Sequence, residues 1–130
     1  MNSEHREEVQ AKLDYLLERL KPERSRIEKV ILFGSAARGD ARQPYDLDVA
    51  ILVPSRERFL TRQWRYWKRI APTFALDLMV YTPEEFKRML ARGNAFAREI
   101  QKHGKVIYAK NSKHNRKIDR SRDRSSVAGQ

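Results

Sequence analysis

The chain has no cysteine, which excludes a disulfide framework and any thiolate metal site. Its three histidines, His5, His103 and His114, stand far apart without ligand spacing, so no histidine-based zinc centre is expected. No apolar stretch approaches the roughly 20 residues of a membrane span, and the N-terminus lacks the apolar core of a signal peptide. A soluble cytoplasmic protein with no membrane association is the expectation. There is also no internal repeat. At 130 residues there is room for one domain, and 40% hydrophobic against 35% charged residues implies a thin core under a busy surface.

What the chain has in excess is positive charge, a net +11. Seven Lys and Arg against Asp119 and Asp123 put +5 of this into residues 110–130, a segment almost without apolar residues or periodicity. That composition predicts a basic disordered tail after a domain spanning 1–109. The tail is equally well read as a nucleic-acid-binding arm, contacting RNA, or as a solubilising extension.

Along the domain, Val9, Leu13, Leu16, Leu17 and Leu20 recur on one helical face, with Ser3 placed to cap the helix and Pro22 beyond its end. Ile27 to Phe33 reads as a buried strand ending at Gly34-Ser35, and Leu47 to Val53 as a second strand stopped by Pro54. A helix capped by Ser55 and running to Ile70 is expected next, then a strand from Phe74 to Tyr81. Thr82-Pro83-Glu84-Glu85 combines a capping box with proline at the first helical position and starts a helix to about Ala91. A last helix ends at Gly104, where His103 complements the helix dipole, and Val106 to Tyr108 can add a short strand. The fold class is α/β (α+β): a small mixed sheet flanked by helices.

The segment ILFGSAARGDARQPYDLDVAILV carries the chemistry. Gly34 allows a tight turn and lets a phosphate approach the backbone. Ser35 opens a helical turn whose N–H groups and hydroxyl can hold phosphate oxygens. Asp46 and Asp48, two apart on a strand, point to one face and can converge on hard cations such as Mg²⁺. Asp77 is the only charge in the strand FALDLMVY, and burying it unpaired is costly, so it needs a cation, hydrogen bonds or solvent. If its strand lies beside the Asp46–Asp48 strand, three carboxylates surround one space. A two-metal site relieves their repulsion and clamps the attacking and leaving oxygens of an in-line displacement at phosphorus. Arg38 and Arg42, close by in sequence, can neutralise a triphosphate.

At these residues the chain resembles the nucleotidyltransferase fold of the DNA polymerase β superfamily, and within it the minimal branch often paired with HEPN-domain proteins. Gly34-Ser35, ten intervening residues, Asp46-x-Asp48 and the later Asp77 follow that pattern. Ala37-Arg38-Gly39 and the closing HGKVIYAK are similar too, so the resemblance spans about Ile27 to Tyr108. Tyr45 departs from it, since many members have serine before the first Asp. The resemblance implies a Mg²⁺-dependent enzyme with two metal ions and ATP or another nucleoside triphosphate as donor. Asp46 and Asp48 would hold both metals, and Asp77 would assist one and act as general base. Gly34, Ser35, Arg38 and Arg42 would bind nucleotide. It also implies an antitoxin whose acceptor is a hydroxyl on a HEPN-type toxin partner. A small-molecule, aminoglycoside-like acceptor and a non-catalytic RNA- or protein-binding module are the alternatives.

The segment RERFLTRQWRYWKR interleaves Arg58, Arg62, Arg65, Lys68 and Arg69 with Trp64, Tyr66 and Trp67. Such a mixture can bind nucleic acid, but on a helix Phe59 or Leu60, Trp64 or Trp67, and Ile70 would form a stripe facing the core or a partner, and that reading is preferred. Trp67 is the residue expected to matter for partner binding. The tail yields a direct test. A chain ending at Lys110 should melt at the same temperature as the full chain in a thermal denaturation scan, and a lowered midpoint would show that the tail packs.

Overall fold

The structure is a computed structural model and describes residues 3–39 and 46–110. In chain order these form α1 (Ser3–Leu20), a 3₁₀ turn (Lys21–Glu23), β1 (Lys29–Phe33), α2 (Gly34–Arg38), β2 (Leu47–Leu52), α3 (Phe59–Ile70), β3 (Leu76–Tyr81), α4 (Pro83–Ala91), α5 (Ala95–His103) and β4 (Lys105–Ala109). The strands lie in the order β3-β2-β1-β4. β1 is antiparallel to both β2 and β4, whereas β2 and β3 are parallel, so the sheet is mixed. A parallel pair cannot be joined by a hairpin, and α3 supplies the crossover from β2 to β3.

Both faces of the sheet are covered, which is why β2 is apolar at nearly every position. On one face Val30, Leu32, Val49, Ile51, Leu78 and Val80 pack against the apolar stripe of α1 and against Tyr66 and Ile70 of α3. On the other, Ile31, Phe33, Ala50, Leu52 and Tyr81 meet Phe86 of α4 and Ala97 and Ile100 of α5. The alternation of strand side chains places Asp48 and Asp77 on this second face.

Three boundaries differ from expectation. Ser55 does not cap α3; its Oγ accepts from the Glu57 N–H and closes a local turn, and the helix begins only after Arg58. The turn is held open of the helix because Arg62 and Arg65 reach back to the Glu57 carbonyl and carboxylate. β3 starts at Leu76 because Phe74 leaves the strand line to pack edge-on against Tyr15 of α1. β1 starts at Lys29, since Ile27, though buried, still bonds back to the 3₁₀ turn through its N–H to the Glu23 carbonyl. The capping box of α4 is present as expected, with Thr82 and Glu85 exchanging side-chain-to-backbone hydrogen bonds.

The inward stripe of α3 is not the expected tryptophan stripe. Arg62, Tyr66 and Ile70 are buried, Trp67 is half-buried against the core, and Leu60 and Trp64 point outward. Arg62 is tolerated inside because its guanidinium is nearly saturated: it donates to the Val80 carbonyl, to the Glu57 carbonyl and to both carboxylate oxygens of Glu85, leaving only Nε without a partner among the described residues. The neighbouring Gln63 donates to the Leu78 carbonyl and accepts from the Val80 N–H. Together they cover the backbone of β3, an edge strand that would otherwise offer itself for pairing. Removing Arg62 strands part of this network. Arg62→Ala should lower the unfolding free energy by about 3–5 kcal/mol, read from urea denaturation, and a loss under about 1 kcal/mol would show the network to be dispensable.

Candidate active site

The antiparallel register of β1 and β2 sets Phe33 opposite Asp48, and the parallel register of β2 and β3 sets Asp48 beside Asp77. The turn that leaves β1 is thereby brought over Asp48. Gly34 adopts φ +74°, and a Cβ built there would lie 2.1 Å from Asp48 Oδ2. Both the backbone conformation and the space demand glycine. Ser35 follows at the head of α2, a short helix anchored in the core by Ala36 and Ala37 and closed by Gly39 in the left-handed conformation. The Ala37-Arg38-Gly39 sequence thus ends a helix whose first residue, Gly34, lies against Asp48.

Asp48 is half-buried, whereas Asp46 and Asp77 are exposed. The Asp48 carboxyl is pushed up to about 6. Burial is the main cause, followed by the hydrogen bond and the charge of Asp77 and the charge of Asp46, with Arg38 pulling the other way. Two carboxylates on adjacent strands repel one another and mark a place where a cation would be welcome. The donors are all oxygens, the set that Mg²⁺ prefers, and so the residues fit a magnesium site. No group of three ligating side chains is already closed around one point among the described residues. Asp48 and Asp77 form the pair, and Asp46 acts on it from the end of β2.

Of the other expected site residues, Arg38 is in ion-pair contact with Glu99 of α5 at 2.9 Å, which ties α2 to α5. Arg42 lies outside the described residues, as does Tyr45. Sequence reasoning did not single out Glu99, Phe33 or Phe96. Phe96 is 37% exposed and stands edge-on to Phe33, the residue opposite Asp48. No local signal marks these positions; Glu99 is one acid on a polar helix face, and Phe33 and Phe96 read as ordinary core.

The raised pKa gives a signed test. Ionised Asp48 is disfavoured in the folded, metal-free protein. The stability it contributes is full below an ordinary value of 3.8 and is lost as the pH rises through about 6. Asp48→Asn cannot ionise. In chelator it should melt above the parent protein at neutral pH, and the difference should shrink as the pH falls through about 6. A difference that does not change with pH would mean that Asp48 does not feel this field.

A model of the polymerase beta nucleotidyltransferase domain matches residues 16–113. No curated protein sequence matches the chain. Among solved structures, the fold is similar to that of a Sulfolobus solfataricus protein assigned as a nucleotidyltransferase, at 18% identity and TM-score 0.63 over 86% of this chain and 93% of the other. It is also similar to a toxin–antitoxin structure containing AMP-PNP, at 14% identity and TM-score 0.55 over 89% of this chain and 86% of that one. A variant of the toxin–antitoxin complex MntA–HpeT shares 16% identity at TM-score 0.52, covering 89% and 85% of the two chains. With three quarters of its length inside the family match, and with the glycine turn set against paired strand carboxylates, this chain belongs to the polymerase beta nucleotidyltransferase family.

Proposed function

We propose that the chain is an antitoxin that transfers AMP from ATP to a hydroxyl on a HEPN-type toxin partner. The observation that carries this reading is the Asp48–Asp77 pair lying directly under the Gly34 turn. Similarity in fold to toxin–antitoxin structures, one of them containing AMP-PNP, supports the choice of donor and partner. Magnesium bound by Asp46 and Asp48, with Asp77 assisting at one of two ions, would supply the positive charge that offsets the triphosphate and the in-line transition state.

The chain's own residues have separable tasks. Gly34 admits the triphosphate to the backbone and Ser35 holds its oxygens with hydroxyl and N–H. Arg38 adds positive charge next to Asp48, and Arg42 is assigned to the triphosphate. Asp77, the exposed member of the pair, takes the proton of the acceptor hydroxyl. The acceptor oxygen bonds to the α-phosphorus, the bond from that phosphorus to the bridging oxygen breaks, and pyrophosphate leaves.

Titration of MgATP alongside single-turnover transfer separates these tasks. Asp46→Asn and Asp48→Asn should weaken nucleotide binding and transfer together. Asp77→Asn should bind MgATP within several-fold of the parent while transfer drops roughly 10²–10⁴-fold, the range for a lost general base. Near-normal transfer by Asp77→Asn would move the base elsewhere, and failure of the parent protein to bind MgATP would remove the whole reading.

A further inference from the structure

The acidic site uses one face of the sheet; the opposite side of the molecule, formed by α3 and the 3₁₀ turn, is basic. Its centre is Glu23, whose side chain is 5% exposed and touches three guanidiniums: Arg26 at 3.5 Å, Arg65 at 3.6 Å and Arg69 at 3.4 Å. One buried carboxylate thus orients three arginines that remain partly exposed, each with further N–H donors directed away from it. Arg65 also binds Glu57. Arg56 and Arg58, just before α3, and Lys68, near its C-terminal end, make no ion pair among the described residues. The six cations named here stand with two acids, Glu23 and Glu57.

Within this field stands Trp64, 58% exposed, with the Lys68 ammonium 5.6 Å from its ring centroid. The core does not need this ring, because Tyr66, Ile70 and the half-buried Trp67 already complete the inner face of α3. An exposed indole among guanidiniums preset by a buried carboxylate offers a base-stacking platform beside phosphate donors. We propose that this surface binds single-stranded nucleic acid, with Trp64 stacking on a base and the cations of α3 and the 3₁₀ turn contacting the backbone. Nucleic acid is preferred to an acidic protein because the exposed apolar area is small. Beside Trp64 only Leu60 is a large exposed hydrophobic on this helix, and every other exposed group on it is a cation or polar.

This inference is independent of nucleotidyl transfer, and its test needs no ATP. In a Trp67→Phe background Trp64 is the only tryptophan, so its fluorescence reports the surface. A single-stranded oligoadenylate of about 12 nucleotides, within the site sizes of such surfaces, should quench it. The logarithm of the affinity should fall with that of salt concentration at a slope of about −0.7 for each phosphate contacted. Trp64→Ala, assayed with a labelled oligonucleotide, should bind about tenfold more weakly, the loss of one stacked base, with MgATP binding unchanged. Arg58→Gln with Lys68→Gln, both lacking ion-pair partners and so safe for folding, should flatten the slope by about 1.4. Polyglutamate is the control for an acidic protein partner. Equal quenching and affinity with polyglutamate would overturn the proposal in favour of that partner. Binding insensitive to Trp64 and to the two cations would assign it to the basic tail and overturn it equally.

Discussion

The in-register parallel pairing of β2 with β3 places Asp48 next to Asp77, and the candidate site depends on that contact more than on any other. Because strand side chains alternate, a slip of one residue would turn Asp77 toward the α1 side, into the core held by Leu76 and Leu78. The register is fixed from outside the sheet. Arg62 and Gln63 of the crossover helix grip the backbone of β3 from Leu78 to Val80, and Glu85 locks Arg62 to the first turn of α4. A buried arginine is an expensive strut, yet here it joins three elements beside the aromatic contacts of Phe59, Tyr81 and Phe86. The acids at one end of β3 are thus aligned by a guanidinium near the other.

Like charges brought together this way are unfavourable without a cation, and the raised Asp48 carboxyl records that cost. Gly34 adds a second constraint, because the only turn compatible with this closeness is one without a side chain. The fold therefore holds a small, strained acidic centre within a protein of net charge +11. Such a field draws anions toward the molecule, while the paired carboxylates repel an anion that arrives without counter-ions.

Arginine has three unrelated jobs here, none distinguishable by composition. Arg62 is a buried strut, Arg38 ties α2 to α5 through Glu99, and Arg26, Arg65 and Arg69 share Glu23. The second and third put the same residue type on opposite sides of the sheet, so the basic composition does not translate into one uniform surface. What differs is the carboxylate each guanidinium meets, and apart from Glu23 to Arg26 and Glu57 to Arg65 those partners come from distant parts of the chain.

Features written in contiguous residues were therefore legible. The stripe of α1, the capping box at Thr82 and Glu85, and the glycine turn at Gly34-Ser35 beside Asp46-x-Asp48 depend on spacing within a few residues, where local geometry decides. The sequence also showed that Asp77 was out of place in an apolar strand. It could not show which strand would lie alongside, because that is settled by where α3 docks and not by β3 itself. The same limit applies to α3. Periodicity predicted one apolar face, but Trp64 and Trp67 are both plausible members of it, and Arg62 is not. Only when Glu85, the Glu57 carbonyl and the Val80 carbonyl were assembled around it did burying an arginine cost less than leaving it outside, and that turned Trp64 toward solvent. Local preference set the elements; the pairing of buried charge with partners far away in sequence set how they face.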